Sequence, residues 1–260
     1  MTFSLGPRAA SAGYRLAAFE RIGSTNAEAL ARARAGERGP LWFVTSEQTA
    51  GRGRRHRPWI APRGNLACSI LEMMDVSPSV AATLGFAAGL ALEAGLRSTA
   101  SDKMEFVLKW PNDVLVGGNK LAGILLEADA IEDRLAVVVG IGINVVAAPE
   151  RTPTPATSLR MLAIDVNAGQ LFAALSDAWI EFRGIWDEGR GFAEIRQRWL
   201  QRAAGLGRPV SIVSGGSTAT GIFETIDETG CMIVRNSDGR RLPISAGEVY
   251  FDAAASAGAV

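Results

Sequence analysis

The chain has 260 residues and equal numbers of basic and acidic side chains, 27 of each, so it can bury a sizeable core without a disulfide or structural metal. A zero net charge lacks the basic excess of a sequence-independent nucleic-acid binder. The lone histidine, His56, excludes a His-rich zinc site, and two cysteines without metal spacing, Cys68 and Cys231, read as buried thiols of a reducing compartment.

The N-terminal stretch has no apolar run of signal-peptide length, so a cytoplasmic rather than a secreted protein is expected. A strand is predicted over residues 14–22. Thr25 followed by Glu28 makes a capping-box pattern that opens a helix. Residues 41–45 form a short apolar strand, residues 47–63 a loop rich in Arg, Gly and Pro, and residues 66–73 another strand. Residues 79–96 are Ala- and Gly-rich and apolar, but Glu93 interrupts them. They read as a buried helix, started at Ser77-Pro78-Ser79, whose glycines allow close packing on a sheet rather than a membrane span.

Strands follow over 106–110, 113–116, 120–127 and 135–146, with a Gly117-Gly118-Asn119 turn before the third. Tight turns between consecutive strands point to an α+β fold with a mixed or antiparallel sheet and helices packed on it. A Pro/Thr stretch at 149–157 precedes helical patterns over 169–202, anchored by Trp179, Phe182, Trp186 and Trp199. The composition shifts at Ala204-Gly205-Leu206-Gly207. Beyond it, short strands and an Asp238-Gly239 hairpin signal indicate a small β-barrel-like module. The division is therefore 1–204 and 205–260.

The loop Gly51-Arg52-Gly53-Arg54-Arg55-His56-Arg57 concentrates four cations in a neutral chain. Alternating glycines let backbone N–H groups approach an anion while guanidiniums clamp it. Ordering such a loop against its own repulsion calls for a polyanion, so it is expected to be mobile when empty. His56, surrounded by cations, is a bystander rather than a general base. The 27 basic residues include only three lysines, Lys103, Lys109 and Lys120, and two of these flank Trp110-Pro111-Asn112-Asp113. A compact ammonium there suits a point contact with an anion. Gly140-Ile141-Gly142-Ile143-Asn144 lacks the third glycine of a dinucleotide fingerprint; its glycines instead allow close approach by a ligand or backbone.

Taken together, Ser24-Thr25-Asn26, Gln48 with Gly51-Arg52-Gly53-Arg54-Arg55, Lys109-Trp110-Pro111-Asn112-Asp113, Lys120-Leu121-Ala122-Gly123-Ile124 and Gly140-Ile141-Gly142-Ile143-Asn144 stand in the order seen in biotin protein ligases. The resemblance covers nearly the whole chain. It implies a catalytic domain like that of class II aminoacyl-tRNA synthetases (1–204) and an SH3-like C-terminal domain (205–260). It also implies ATP-dependent formation of biotinyl-5'-AMP and transfer of biotin to a lysine of a biotin carboxyl carrier domain.

By the same resemblance Ser24, Thr25, Asn26 and Gln48 hold the biotin ring. Arg52, Gly53 and Arg54 close over the adenylate, and Lys120 meets the carboxylate and α-phosphate. Gly51, Arg55, Lys109, Trp110, Asn112, Asp113 and Asn144 serve the nucleotide, with Asn112 and Asp113 near the incoming lysine. Lys120, Arg52 and Arg54 carry the chemistry. Mg²⁺ arrives with ATP, with no protein metal site and no prosthetic group. His56 stands where the family has a glycine. Only 23 residues precede Ser24, which suggests the short form lacking a DNA-binding domain, acting away from membranes as a monomer or homodimer. Lipoate ligation, DNA-binding regulation and general RNA binding are the competing readings.

Overall fold

The computed structural model describes residues 2–100, 104–150, 152 and 154–251; Lys103 and the side chain of His56 lie outside the description. Seven strands form one mixed sheet in the spatial order β1 (Arg15–Phe19), β2 (Leu41–Thr45), β3 (Leu66–Met74), β7 (Arg134–Ile143), β6 (Asn119–Ile131), β5 (Asp113–Val116) and β4 (Val107–Lys109). Only β1 and β2 run parallel. A parallel pair needs a crossover, and the helix α2 (Thr25–Arg34) supplies it.

β7 sits at the middle of the sheet and is apolar along its length because both of its faces are covered. Val137, Val139, Ile141 and Ile143 join the main core. Ala136 and Val138, on the opposite face, pack in a second cluster with Ala29, Leu30 and Ala33 of α2. Two residues further along that second face the side chains vanish, at Gly140 and Gly142. The notch they leave is where the site is built.

On the main-core side lie α3 (Pro78–Thr99) and α4 (Ala168–Trp186). α3 starts as its sequence predicts, with the Ser77 side chain accepting from the Val80 N–H and Pro78 in the first turn. It is long and apolar enough to cross a membrane, yet most of it is buried within the protein. Of its three glycines, the one in tightest contact faces a helix rather than the sheet. A Cβ at Gly95 would lie 3.0 Å from the Leu175 Cα on α4.

The helical region breaks after Trp186, where Asp187 and Glu188 take left-handed backbone angles; α5 (Phe192–Leu200) then carries Trp199 into the core. A short N-terminal helix, α1 (Pro7–Ser11), is too brief to show periodicity in sequence. It docks on α4 through Gly6 N–H to Ser176 Oγ and Ala9 N–H to Asp177 Oδ1. β6 extends beyond the predicted end to Ile131 and returns into β7, while β1 is shorter than predicted. The predicted cap of α2 is also off by one residue. Ser24 is the cap, accepting from the Ala27 N–H, and Glu28 pairs with Arg32 instead of the helix start. Thr25 is thereby released for the site.

The C-terminal strands β8 (Pro209–Ser214), β9 (Ser217–Ile226), β10 (Met232–Arg235), β11 (Arg241–Ile244) and β12 (Glu248–Tyr250) form an antiparallel sheet ordered β11-β10-β9-β8-β12. The Asp238-Gly239 signal lies in the β10–β11 hairpin. Asn236 Oδ1 accepts from the Asp238 and Arg240 N–H groups there, and Gly239 has φ 78°. This sheet shares the main core through Val210, Ile212 and Phe223, and Trp110 Nε1 donates to the Gly230 carbonyl.

Candidate active site

Above the Gly140–Gly142 notch, α2 begins with three buried polar residues, Ser24, Thr25 and Asn26. Burial obliges them to find partners. A Cβ at Gly140 would stand 2.0 Å from Asn26 Oδ1, so only glycine lets that amide onto the strand. Asn26 Nδ2 donates to the Leu125 carbonyl and to Glu127 Oε2, and its Oδ1 lies 2.6 Å from Ser69 Oγ. Ser69 Oγ is also 2.7 Å from Thr25 Oγ1. With one proton, the serine donates to one of the two at a time. Gln48 Oε1 accepts from the backbone N–H and hydroxyl of Thr25, at 2.8 and 3.1 Å.

The arginine loop folds back on itself as a small hairpin: Gly53 N–H donates to Arg57 O, Trp59 N–H to Gly51 O, and Gln48 N–H to Ala61 O. Besides the bonds of Gln48 to Thr25 and of Ala50 N–H to the Gly23 carbonyl at its start, its arginines tie it outward at three points. Arg52 meets Glu127 at 3.4 Å, Arg54 donates to Asn112 Oδ1 at 3.2 Å, and Arg57 pairs with Glu248 of β12. Burial, then the charge of Arg55, pulls the Arg54 guanidinium below the ordinary arginine range. Arg55 itself takes φ 55°, a strained choice for a side chain of its size. The loop returns Trp59 over the second glycine of the notch. A Cβ at Gly142 would lie 2.4 Å from the indole, whose Nε1 is buried without a partner.

At the other end Lys120 opens β6. Its backbone is held by Pro155 and Thr157, and its Nζ sits 2.6 Å from Asp113 Oδ1 and 5.5 Å from the Trp59 ring centre. Asn112 Nδ2 donates to the Ile124 carbonyl, turning Oδ1 toward Arg54. Lys109 is buried. Desolvation draws its ammonium below the ordinary lysine range, Asp113 opposes that and Lys120 reinforces it. Asn144 donates Nδ2 to Thr157 O and keeps a buried Oδ1 without a donor.

These segments enclose a cavity of about 370 Å³, within the range of small-molecule sites. All the predicted site residues line it except Gly51. That glycine is buried beneath the Trp59 carbonyl, 2.4 Å from where its Cβ would stand, so its contribution is to the loop's fold. The notch glycines are approached by side chains, Asn26 and Trp59, where the sequence suggested a ligand or backbone. The sequence reading missed Trp59 and the β12 residues Glu248 and Tyr250, which also line the cavity, and Ser69 and Glu127 behind it. Ser69 had a signal, a hydroxyl inside an apolar strand. Cys68 lines the wall, its thiol pushed up by burial, while Cys231 is only half-buried; both are free. Among the described residues no three His, Cys, Asp or Glu side chains gather as a metal site. The donor set therefore fits a magnesium ion carried by phosphates better than one caged by protein.

Residues 18–144 match the model of the Biotin/lipoate A/B protein ligase family, and residues 205–252 that of the Biotin protein ligase C terminal domain. A biotin–[acetyl-CoA-carboxylase] ligase of Paracoccus denitrificans is 41% identical over 238 residues, which cover 89% of this chain and 98% of the relative. One of Mycobacterium tuberculosis is 36% identical over 251 residues, covering 92% and 90%. Among solved structures, the biotin protein ligase of Aquifex aeolicus in complex with biotin and ATP superposes with a TM-score of 0.75 at 26% identity, covering 91% of this chain and 97% of that one. Similarity at that level, sustained across both sheets, makes this chain a member of the biotin protein ligase family.

Proposed function

We infer that the chain is an ATP-dependent ligase that activates biotin as biotinyl-5'-AMP and passes it to a lysine of the biotin carboxyl carrier protein of acetyl-CoA carboxylase. The observation that carries this is the convergence on one cavity of a hydrogen-bonding end, Ser24 to Gln48, and a cationic end, Lys120 with the arginine loop. One end suits a neutral ring with polar edges; the other suits a carboxylate meeting a triphosphate.

In the first half-reaction a biotin carboxylate oxygen attacks the α-phosphorus, and the bond to pyrophosphate breaks. Two anions must meet, so the protein's task is to neutralise charge that grows in the transition state. Lys120 serves the carboxylate and α-phosphate, Arg52 and Arg54 flank them, and Mg²⁺ enters as part of the nucleotide substrate. Lys109, Trp110, Asn112, Asp113, Arg55 and Asn144 form the nucleotide end. In the second half-reaction the acceptor lysine amine attacks the acyl carbon and AMP leaves. Asp113 stands where it can receive the proton of that amine. The loop excludes water from the acyl-adenylate meanwhile. No protein nucleophile is required.

Residues 1–204 act as the catalytic unit and 205–260 as an accessory module whose β12 closes one wall. The reaction belongs in the cytoplasm, where carrier protein and ATP meet. The deciding experiment supplies Mg·ATP, biotin and a carboxyl carrier domain and probes the carrier for biotin, with lipoate as the competing acid. Carrier biotinylation with AMP release is expected; activation of lipoate alone overturns the reading in favour of lipoate ligation.

A further inference from the structure

Glu127 does not line the cavity, yet two of its would-be ligand contacts meet on this one carboxylate. It lies on the α2 face of β6, opposite Val138 in register. From one side it accepts Asn26 Nδ2 at 2.8 Å, and from the other it receives the Arg52 guanidinium at 3.4 Å. Asn26 has little freedom to turn toward any other partner. Leu125 O and Ser69 Oγ occupy its remaining positions, and the missing Cβ of Gly140 fixes its depth. Arg52 is different. It is nearly half exposed, and the loop's other arginine anchors go to Asn112 and to the C-terminal sheet. Of the three arginine anchors, this one reaches toward the ring-binding end, which the loop otherwise meets at its first residues, through Gln48 on Thr25 and Ala50 N–H on the Gly23 carbonyl.

We propose that Glu127 is a positioning residue that couples the two ends of the site: the carboxylate that orients the Asn26 amide also latches Arg52, so that a properly filled floor and a closed loop favour one another. This rests on the ligase reading for what the loop covers, but the latch itself is a property of the ligand-free protein. Substitution separates the two contacts. Glu127→Gln keeps an oxygen that can accept from Asn26 and removes the charge that holds Arg52. Glu127→Ala removes both.

The latch is read first without chemistry, by limited trypsin cleavage at the loop arginines in the ligand-free protein. Glu127→Gln is expected to be cut two- to fivefold faster than wild type at an unchanged melting temperature, the size of effect that a partly exposed ion pair supports. It is then read in the reaction. Glu127→Gln should leave the KM for biotin within about twofold while biotinyl-adenylate escapes from the enzyme two- to fivefold faster. Glu127→Ala should raise both. Arg52→Ala combined with Glu127→Gln should leak no faster than Arg52→Ala alone, because the charge has already lost its ion-pair partner and the Gln keeps the bond to Asn26.

Wild-type cleavage in Glu127→Gln, or additive leakage in the double variant, overturns the latch. If wild type forms no biotinyl-adenylate at all, it is the ligase reading that fails, and the trypsin comparison still decides the latch.

Discussion

Lys120 Nζ and Asp113 Oδ1 are 2.6 Å apart, yet the carboxylate oxygen is left without an aligned hydrogen-bond donor. The two groups hold each other by charge alone, in a pocket where both are largely shielded from water. A phosphate or carboxylate oxygen entering beside Trp59 can compete with Asp113 for the ammonium.

Lys120→Ala is therefore expected to slow biotin-dependent ATP–pyrophosphate exchange by about 100-fold or more, the usual cost of deleting one preorganised charge contact. Lys120→Arg should restore little. A planar fork needs width, and the Cε and Nζ of Lys120 already lie 3.3 Å from where a Gly123 Cβ would stand. Melting temperature should fall by only a few degrees in either variant. Near-normal exchange in Lys120→Ala would remove the residue from the chemistry.

Gly140→Ala and Gly142→Ala make a matched pair. The first puts a methyl 2.0 Å from Asn26 Oδ1, the second 2.4 Å from the Trp59 indole. Asn26 is pinned by Ser69, Leu125 and Glu127 and cannot give way. Trp59 rides on the loop and can. Gly140→Ala should thus cost about 1–3 kcal/mol of stability by overpacking and raise the KM for biotin at least tenfold. Gly142→Ala should melt closer to wild type but lose activity through a displaced loop. Calorimetry beside exchange kinetics separates them, and equal losses of stability would show that Asn26 is as mobile as the loop.

The same two glycines mark how far the sequence could be read. β7 was legible because a nine-in-ten apolar run needs two covered faces, and the arginine loop because charge so concentrated is rare in a neutral chain. The order of motifs then carried the family and most of the residues that line the cavity. What periodicity could not give was contact at a distance. Ser69, Trp59 and Glu127 reach the site only through pairings such as Gly123 with Gly142 across β6 and β7. The cap of α2 was misplaced because Ser24 and Thr25 have nearly equal capping ability, and tertiary demand from Gln48 and Ser69 chose between them. The break after Trp186 rests on left-handed angles at Asp187 and Glu188, which no side-chain pattern announces.

Away from the site, Glu72 is a residue whose loss should weaken the fold. It is buried on β3 and accepts from Tyr14 Oη at 3.0 Å, Trp179 Nε1 at 3.1 Å and Arg183 Nε at 2.7 Å. Burial, with the Glu72 charge next, pushes the Tyr14 phenol far above its ordinary range, so it stays a neutral donor. Glu72→Ala takes the acceptor from Arg183 Nε, leaving that cation only Glu188, and leaves the Trp179 indole N–H only the Tyr14 hydroxyl at 3.3 Å, so about 1–3 kcal/mol of stability should go with it. Urea unfolding measures this loss. Whatever fraction remains folded should keep the wild-type KM for biotin, since none of these groups reaches the cavity.

Acid should weaken the fold in part through Glu37. The Arg15 guanidinium, 2.5 Å away, and the Arg38 and Gly39 N–H groups hold its carboxyl at about 2, below the ordinary value of 4.5. A folded-state value lower than the unfolded one means that the contribution is complete above about pH 4.5 and is lost as the pH falls toward 2. Arg15 is more than half exposed, so solvent screening limits the contribution to about 1 kcal/mol or less. Glu37→Gln should therefore start slightly less stable at neutral pH and lose less between pH 4.5 and 2. Raising the salt to about 0.5 M should draw the two curves together. Urea midpoints taken across that window test the sign: wild type and Glu37→Gln falling in parallel at low salt would mean that the pair contributes nothing to the acid limb.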